Sequence, residues 1–264
     1  MSKSDSSGYV SGLFGLDGKV AAITGAGGHL CSAMTLGLAR AGAKVVAMDV
    51  RPEKLEQVEK EVLASGSQCL SLGLDVLDKE QFANALTAAT DAFGRVDILI
   101  NGSGINSPDP PLEIQSEDWD AIMNVNLRGT LFGCQVFGDH MVENRAGSII
   151  NISSASSGPP LSKAFAYSAS KAAVKNLTQN LAREWAPYNV RVNALRPGFF
   201  PTEWNRKNFI TPEREATILG HTPMDRFGAP EELLGAIIWL ASSASGFVTG
   251  AEIAVDGGFT AMTI

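Results

Sequence analysis

Tyr167 and Lys171 stand four positions apart in Tyr167-Ser168-Ala169-Ser170-Lys171. On a helix that spacing puts a phenol and an ammonium on one face. A free phenol has a pKa near 10, so making it a base near neutrality takes about 4 kcal/mol. A neighbouring ammonium pushes it that way. Alone, the pair reads better as a surface contact. Two further groups change the balance. Ser153 and Ser154 close an apolar strand pattern, and Ser154 comes 13 residues before Tyr167. A hydroxyl there can orient a substrate oxygen beside the phenol. Asn126, in Asn124-Val125-Asn126, falls inside a helical pattern. Its amide can break the backbone ladder and hold a water that leads to Lys171. Together these are the parts of a general acid–base site acting on a hydroxyl or a carbonyl.

A second group of residues can hold a dinucleotide. Thr24-Gly25-Ala26-Gly27-Gly28-His29-Leu30-Cys31 follows a strand pattern and opens a helical one. Glycines let the backbone approach a pyrophosphate, and the helix start offers free N–H groups. A glycine cluster also suits any tight strand-to-helix turn. Asp49 ends the next strand, 24 positions after Gly25. A carboxylate there accepts ribose hydroxyls and repels a 2′-phosphate, which points to NAD, while nearby Arg51 keeps NADP open. Asp49 also reads as a cap for the turn before Pro52. Asp75 ends the third strand, with Val76 behind it, and either meets the adenine or closes a turn.

These groups need a frame. Residues 19–24, 44–49, 68–74, 96–101, 147–153, 190–195 and 252–255 read as strands. Residues 30–40, 53–65, 79–93, 116–143, 167–185 and 231–242 read as helices, the fourth with Ser116 as N-cap and a bend near Gly129. Continuously apolar strands separated by helices mean a parallel sheet covered on both faces. The expectation is a single α/β domain over 16–264, a doubly wound parallel sheet of about seven strands, behind a flexible lead-in at 1–15. Ligands of such sheets sit at the carboxyl ends of the strands, near the point where strand order reverses. The least regular stretch, 198–228, reads as a substrate lid.

The 264 residues carry a formal charge of −7. An acidic chain gains nothing from a phosphate backbone, which argues against nucleic acid. No apolar run is long enough for a membrane span, and the polar first 15 residues lack the apolar core of a secretory signal. Cys31, Cys69 and Cys134 show no metal-ligand spacing and suit a reducing, cytoplasmic setting.

Over about residues 16–258 the chain resembles the classical short-chain dehydrogenases/reductases. The carrying residues are Thr24-Gly25 with its loop, Asp75-Val76, Leu99-Ile100-Asn101-Gly102-Ser103-Gly104, Asn126, Ser154, Tyr167-x-x-x-Lys171, Pro197-Gly198 with Thr202, and Val255-Asp256-Gly257-Gly258. The resemblance implies a Rossmann fold and NAD-dependent hydride transfer between nicotinamide and a secondary alcohol or ketone. It implies Tyr167 as general acid/base, Ser154 as substrate anchor, Lys171 as the group that lowers the tyrosine pKa and binds the ribose, and Asn126 as support for the proton relay. The implied cofactor contacts are Gly25, Gly27, Gly28, His29, Leu30, Asp49, Asp75, Val76, Asn101, Gly102, Tyr167, Lys171, Pro197, Gly198 and Thr202. A homotetramer built through the helices at 116–143 and 167–185 is also implied. Two departures stand out. His29 and Cys31 occupy loop positions where the family carries glycine, and Asn101-Gly102-Ser103-Gly104 replaces Asn-Asn-Ala-Gly. His29 either donates a hydrogen bond to a pyrophosphate or caps the helix, and the cap is the preferred reading.

Phe199-Phe200-Pro201-Thr202-Glu203-Trp204-Asn205-Arg206 resembles a narrower branch, similar to D-mannonate oxidoreductases and gluconate dehydrogenases, which implies a sugar-acid substrate. A hexonate asks for a cation and several hydrogen-bonding groups. Asn106, Ser154, Ser156, Lys163, Phe200 and Arg206 are the candidate contacts. A 3-oxoacyl thioester or another ketone is the competing substrate, and a non-catalytic NAD(H) sensor the competing class.

Overall fold

The computed structural model describes residues 6–202 and 210–263. Its strands are β1 (Val20–Thr24), β2 (Lys44–Asp49), β3 (Cys69–Gly73), β4 (Ile98–Asn101), β5 (Gly147–Ile152), β6 (Val190–Pro197) and β7 (Glu252–Val255). All pair in parallel, in the order β3-β2-β1-β4-β5-β6-β7. β1, β2, β4 and β5 are buried along almost their whole length. That is why they read as unbroken apolar runs: helices cover both faces.

On one face α2 (His29–Arg40), α3 (Leu55–Ala64) and α9 (Leu234–Ala241) pack Met34, Leu38, Val62 and Ile237 onto Ile23, Val45 and Ile100. On the other, α4 (Lys79–Phe93), α6 (Gly129–Glu143) and α7 (Phe165–Trp185) pack Phe82, Phe137 and Met141 onto Ala22, Leu99 and Ile149. Each such side chain, fully buried, contributes about 1.5–3 kcal/mol. Register keeps the carboxyl ends level: Thr24 pairs with Asn101, Asn101 with Asn151, and Ile152 with Leu195.

The local structure departs from the sequence reading in four places. The lead-in, where no element is expected, holds helix α1 (Ser6–Phe14), whose Leu13 carbonyl accepts the Ser243 hydroxyl. The stretch 198–228 contains helix α8 (Pro212–Gly220). Its signal was present: Thr211 caps the Arg214 N–H, and proline occupies the first turn. Ser116 is the first residue of α5 (Ser116–Met123), and the N-cap is Gln115, without a side-chain cap bond. The bend expected near Gly129 is one turn of π-helix, Asn124–Arg128, between α5 and α6. Such turns recur at functional sites.

Candidate active site

β1 and β4 are neighbours, although β2 and β3 come between them in the chain. The loops leaving β1 and β4 therefore diverge and open a crevice at the switch point. The Thr24 hydroxyl oxygen ties the two loops together by accepting the Gly102 N–H at 3.0 Å. Gly25 has φ +69°, and a Cβ there would lie 3.0 Å from the Ser103 nitrogen. A groove of ≈ 770 Å³ follows the crevice. Asp75, Val76 and Asp49 line it beyond β2 and β3; Gly25, Gly28, His29, Leu30 and Gly102 line its middle; Tyr167, Lys171, Phe200 and Thr202 line its far part.

This donor set suits a dinucleotide. α2 starts at N-cap Gly28 with no side-chain cap bond, so its first-turn N–H groups have no side-chain acceptor. Free N–H groups at a helix start bind phosphate. The cap expected of His29 is therefore absent: His29 is an exposed first helical residue on the groove wall. The buried Asp49 carboxylate accepts the Gly27 N–H at 3.1 Å and the Arg51 N–H at 3.0 Å. It closes its own turn; Oδ1 also accepts the Arg51 Nε–H at 3.5 Å, while Oδ2 keeps a lone pair for a further donor. Asp75 likewise accepts the Leu77 N–H at 2.9 Å.

The two departures from the family pattern explain each other. A Cβ at Gly102 would lie 2.3 Å from the Cys31 sulfur. Cys31 fills the space that a side chain at position 102 would need. Burial pushes its thiol up to about 12, so Cys31 is a packing group rather than a nucleophile.

The reactive groups meet where α7 crosses the end of β5. The Ser154 side chain acts on the Tyr167 phenol and draws its pKa down. Lys171 is buried, its Nζ donating to the Ile152 carbonyl at 2.7 Å and lying 5.6 Å from the Tyr167 ring centroid. Burial holds the Tyr167 phenol above its ordinary value, and Ser154 offsets this only in part. Burial is the larger influence on this phenol, and desolvation likewise brings Lys171 down to about 8. Asn126 is fully buried in the π-turn. Its Oδ1 accepts the Ile105 N–H at 2.8 Å, and its Nδ2 donates to the Ile105 carbonyl at 3.0 Å and to the Ser170 hydroxyl at 2.9 Å. The amide pins the β4 loop to α7.

One residue at this site is missing from the sequence reading. The Glu252 carboxylate accepts the hydroxyls of Ser153 and Ser157, both at 2.7 Å, and pairs with Lys175 at 3.2 Å and Arg196 at 3.1 Å. Ser153 and Ser157 bracket Ser154, and Lys175 lies one turn beyond Lys171. A single buried carboxylate thus clamps the serine loop to α7. The visible signal was an acid opening the otherwise apolar strand Glu252-Ile253-Ala254-Val255.

The remaining candidates divide. Ser156 is buried and bonds the Ser154 hydroxyl at 3.1 Å. Asn101 turns into the core, donating to Asn151 at 2.8 Å. Pro197 and Gly198 shape the end of β6, with the Gly198 N–H bonded to Val255. Gly27 meets Asp49 from behind the groove. Asn106 and Lys163 are exposed and are not among the groove's lining residues. Arg206 lies outside the described residues.

Comparison with known proteins agrees with this geometry. A family model described as enoyl-(acyl carrier protein) reductase matches residues 26–260. A 2-dehydro-3-deoxy-D-gluconate 5-dehydrogenase of Escherichia coli (strain K12) is 39% identical over 249 residues, covering 94% of this chain and 98% of that one. The structure of a gluconate 5-dehydrogenase from Burkholderia cenocepacia J2315, in complex with NADP and tartrate, superposes with a TM-score of 0.91 at 36% identity, covering 96% and 100% of the two chains. A structure described as a D-mannonate oxidoreductase from Haemophilus influenza, with bound NAD, gives 0.89 at 36% identity, covering 94% and 97%. The chain belongs to the short-chain dehydrogenase/reductase family. It is a nicotinamide-dependent oxidoreductase of CH–OH groups.

Proposed function

We propose that this enzyme interconverts a hexonate and its keto acid with NAD as cofactor. The observation that carries the reading is the gathering of Ser154, Tyr167, Lys171 and Asn126 at one end of a dinucleotide-sized groove. The sugar-acid chemistry of the relatives supports the substrate class. In this reading Ser154 and Tyr167 hold the substrate oxygen, and Tyr167 gives or takes its proton. The bound nicotinamide supplies the hydride acceptor or donor. A phenol held above its ordinary value keeps its proton at rest and is ready to donate it to a ketone. Lys171, with a value of about 8, exchanges protons near neutral pH and is the next carrier. Asn126 fixes the loop over both.

Asp49 favours NAD over NADP, because its buried carboxylate repels a 2′-phosphate and accepts ribose hydroxyls. The exposed Arg51, 3.5 Å from that carboxylate, weakens the repulsion only partly. Gly25, Gly27, Gly28, His29, Leu30, Asp75, Val76, Gly102 and Thr202 complete the cofactor grip, with Asn101, Pro197 and Gly198 shaping the backbone behind it. Residues 16–264 act as one domain with a lid at 198–228. The enzyme works in the cytoplasm, consistent with three unpaired cysteines, as a homotetramer through the α5–α6 segment and α7. Trp119 and Phe165 offer exposed apolar surface there.

The test is NADH formation from NAD⁺, or NADPH formation from NADP⁺, across hexonates, polyols, steroid alcohols and 3-hydroxyacyl thioesters. Turnover of a hexonate with NAD⁺ supports the reading. Turnover confined to thioesters would replace it with the acyl reading, which the family model's description favours.

A further inference from the structure

A second cavity, of ≈ 470 Å³, opens between α8 and the loop that leads from Ser154 into α7. Its loop wall, Pro159 to Ser162, begins five residues after Ser154 and ends five before Tyr167. Arg214 and His221 line it from α8. Phe199 also lines it, and the next residue, Phe200, lines the groove that holds Tyr167.

Arg214 differs from the other cavity-lining arginines. Arg51 is paired with Asp49 and Arg226 with Glu232. Arg214 has no ion pair among the described residues. Its one hydrogen-bond contact from the guanidinium reaches across the cavity to the Ser162 hydroxyl at 3.5 Å, the outer limit for such a bond. The adjacent Glu213 makes no ion pair with it among the described residues. That carboxylate is taken up by its own helix start and the Thr211 hydroxyl, which hold it below the usual range. A half-buried guanidinium is thus left facing a polar-edged space next to the reactive serine loop.

We propose that this cavity is the acid subsite: Arg214 binds the substrate's carboxylate while the hydroxyl to be oxidised lies against Ser154 and Tyr167. The proposal rests on the sugar-acid reading above. A guanidinium offers two parallel N–H donors to a carboxylate. Ser162 and His221 supply further donors for carboxylate or hydroxyl oxygens. Because Arg214 sits on α8 and Ser162 on the facing loop, an acid held between them joins the two walls.

The experiment is steady-state kinetics of wild type, Arg214→Gln and Arg214→Lys with a sugar acid and with the matching uncharged sugar alcohol, together with NADH binding by fluorescence. In Arg214→Gln the KM for the acid should rise about ten- to a hundredfold. Arg214→Lys should fall between the two, while the KM for the alcohol and NADH binding stay unchanged. An unchanged acid KM, or equal rises for acid and alcohol, overturns the subsite alone. A wild type that oxidises alcohols but no sugar acid overturns both the subsite and the reading it rests on.

Discussion

The reactive end of the groove and the cavity under α8 are built in opposite ways. Around Tyr167 the polar side chains are densely engaged, with Ser168 Oγ and Arg196 Nε the exceptions among the described residues. Asn126 makes three hydrogen bonds, Lys171 is tethered to Ile152, and Glu252 makes four contacts. These groups come from β5, β7, the π-turn and α7, elements fixed by the core. Around Arg214 the polar groups are sparse and half exposed, and they sit on a helix and a loop outside the sheet. The contrast teaches a division of labour. Chemistry that every substrate needs is placed on rigid, cross-bonded elements, whereas recognition of one substrate sits on parts that can change without disturbing the core.

The strongest way to break that division is at the phenol. Tyr167→Phe should lower kcat by about a thousandfold while NADH binding stays within about twofold. Loss of binding and turnover together would mean that Tyr167 shapes the groove instead. Asp49→Ser should move cofactor preference toward NADP by about a hundredfold, read as the ratio of kcat/KM values. An unchanged ratio would reduce Asp49 to a turn-closing carboxylate.

Glu252→Gln tests the clamp. It leaves Lys175 and Arg196 facing a neutral group and loosens the serine loop. The expectation is a fall of about tenfold in kcat with little change in cofactor KM. A drop in melting temperature with kcat intact would make the clamp structural only. The smallest effect concerns pH. Burial brings Lys171 from 10.5 to about 8. Between those values the unfolded chain holds more protons than the folded one, so this lysine makes stability rise with pH across that window. Below pH 8 its cost is full and constant. Wild type should therefore gain melting temperature relative to Lys171→Met between pH 8 and 10. Parallel curves would mean that the lysine is better solvated than its surroundings imply.

The same contrast governs what could be read from the chain. The strands and the Tyr167–Lys171 pair were legible because period and spacing are local properties. Ser154 and the glycine loop were legible because they fall at strand ends. The use made of Asn126 was not, since its partners are Ile105 and Ser170, 21 and 44 residues away. Glu252 was hidden for the same reason: its partners come from β5, β6 and α7. The upward pull of burial on the Tyr167 phenol escaped because burial is a property of the fold, not of local spacing. Helix α8 was missed despite a Thr211-Pro212 start signal, because the surrounding Pro and Gly content reads as loop.

The central claim is that hydride passes directly between nicotinamide and a sugar-acid carbon. It is tested most directly with NADH deuterated at C4, incubated with wild-type protein and a keto-hexonate, the product being weighed by mass spectrometry. The account predicts one deuterium in the reduced acid and none with Tyr167→Phe over the same interval. Tight NADH binding with no label in any product would contradict it and leave a cofactor-sensing protein in place of an enzyme.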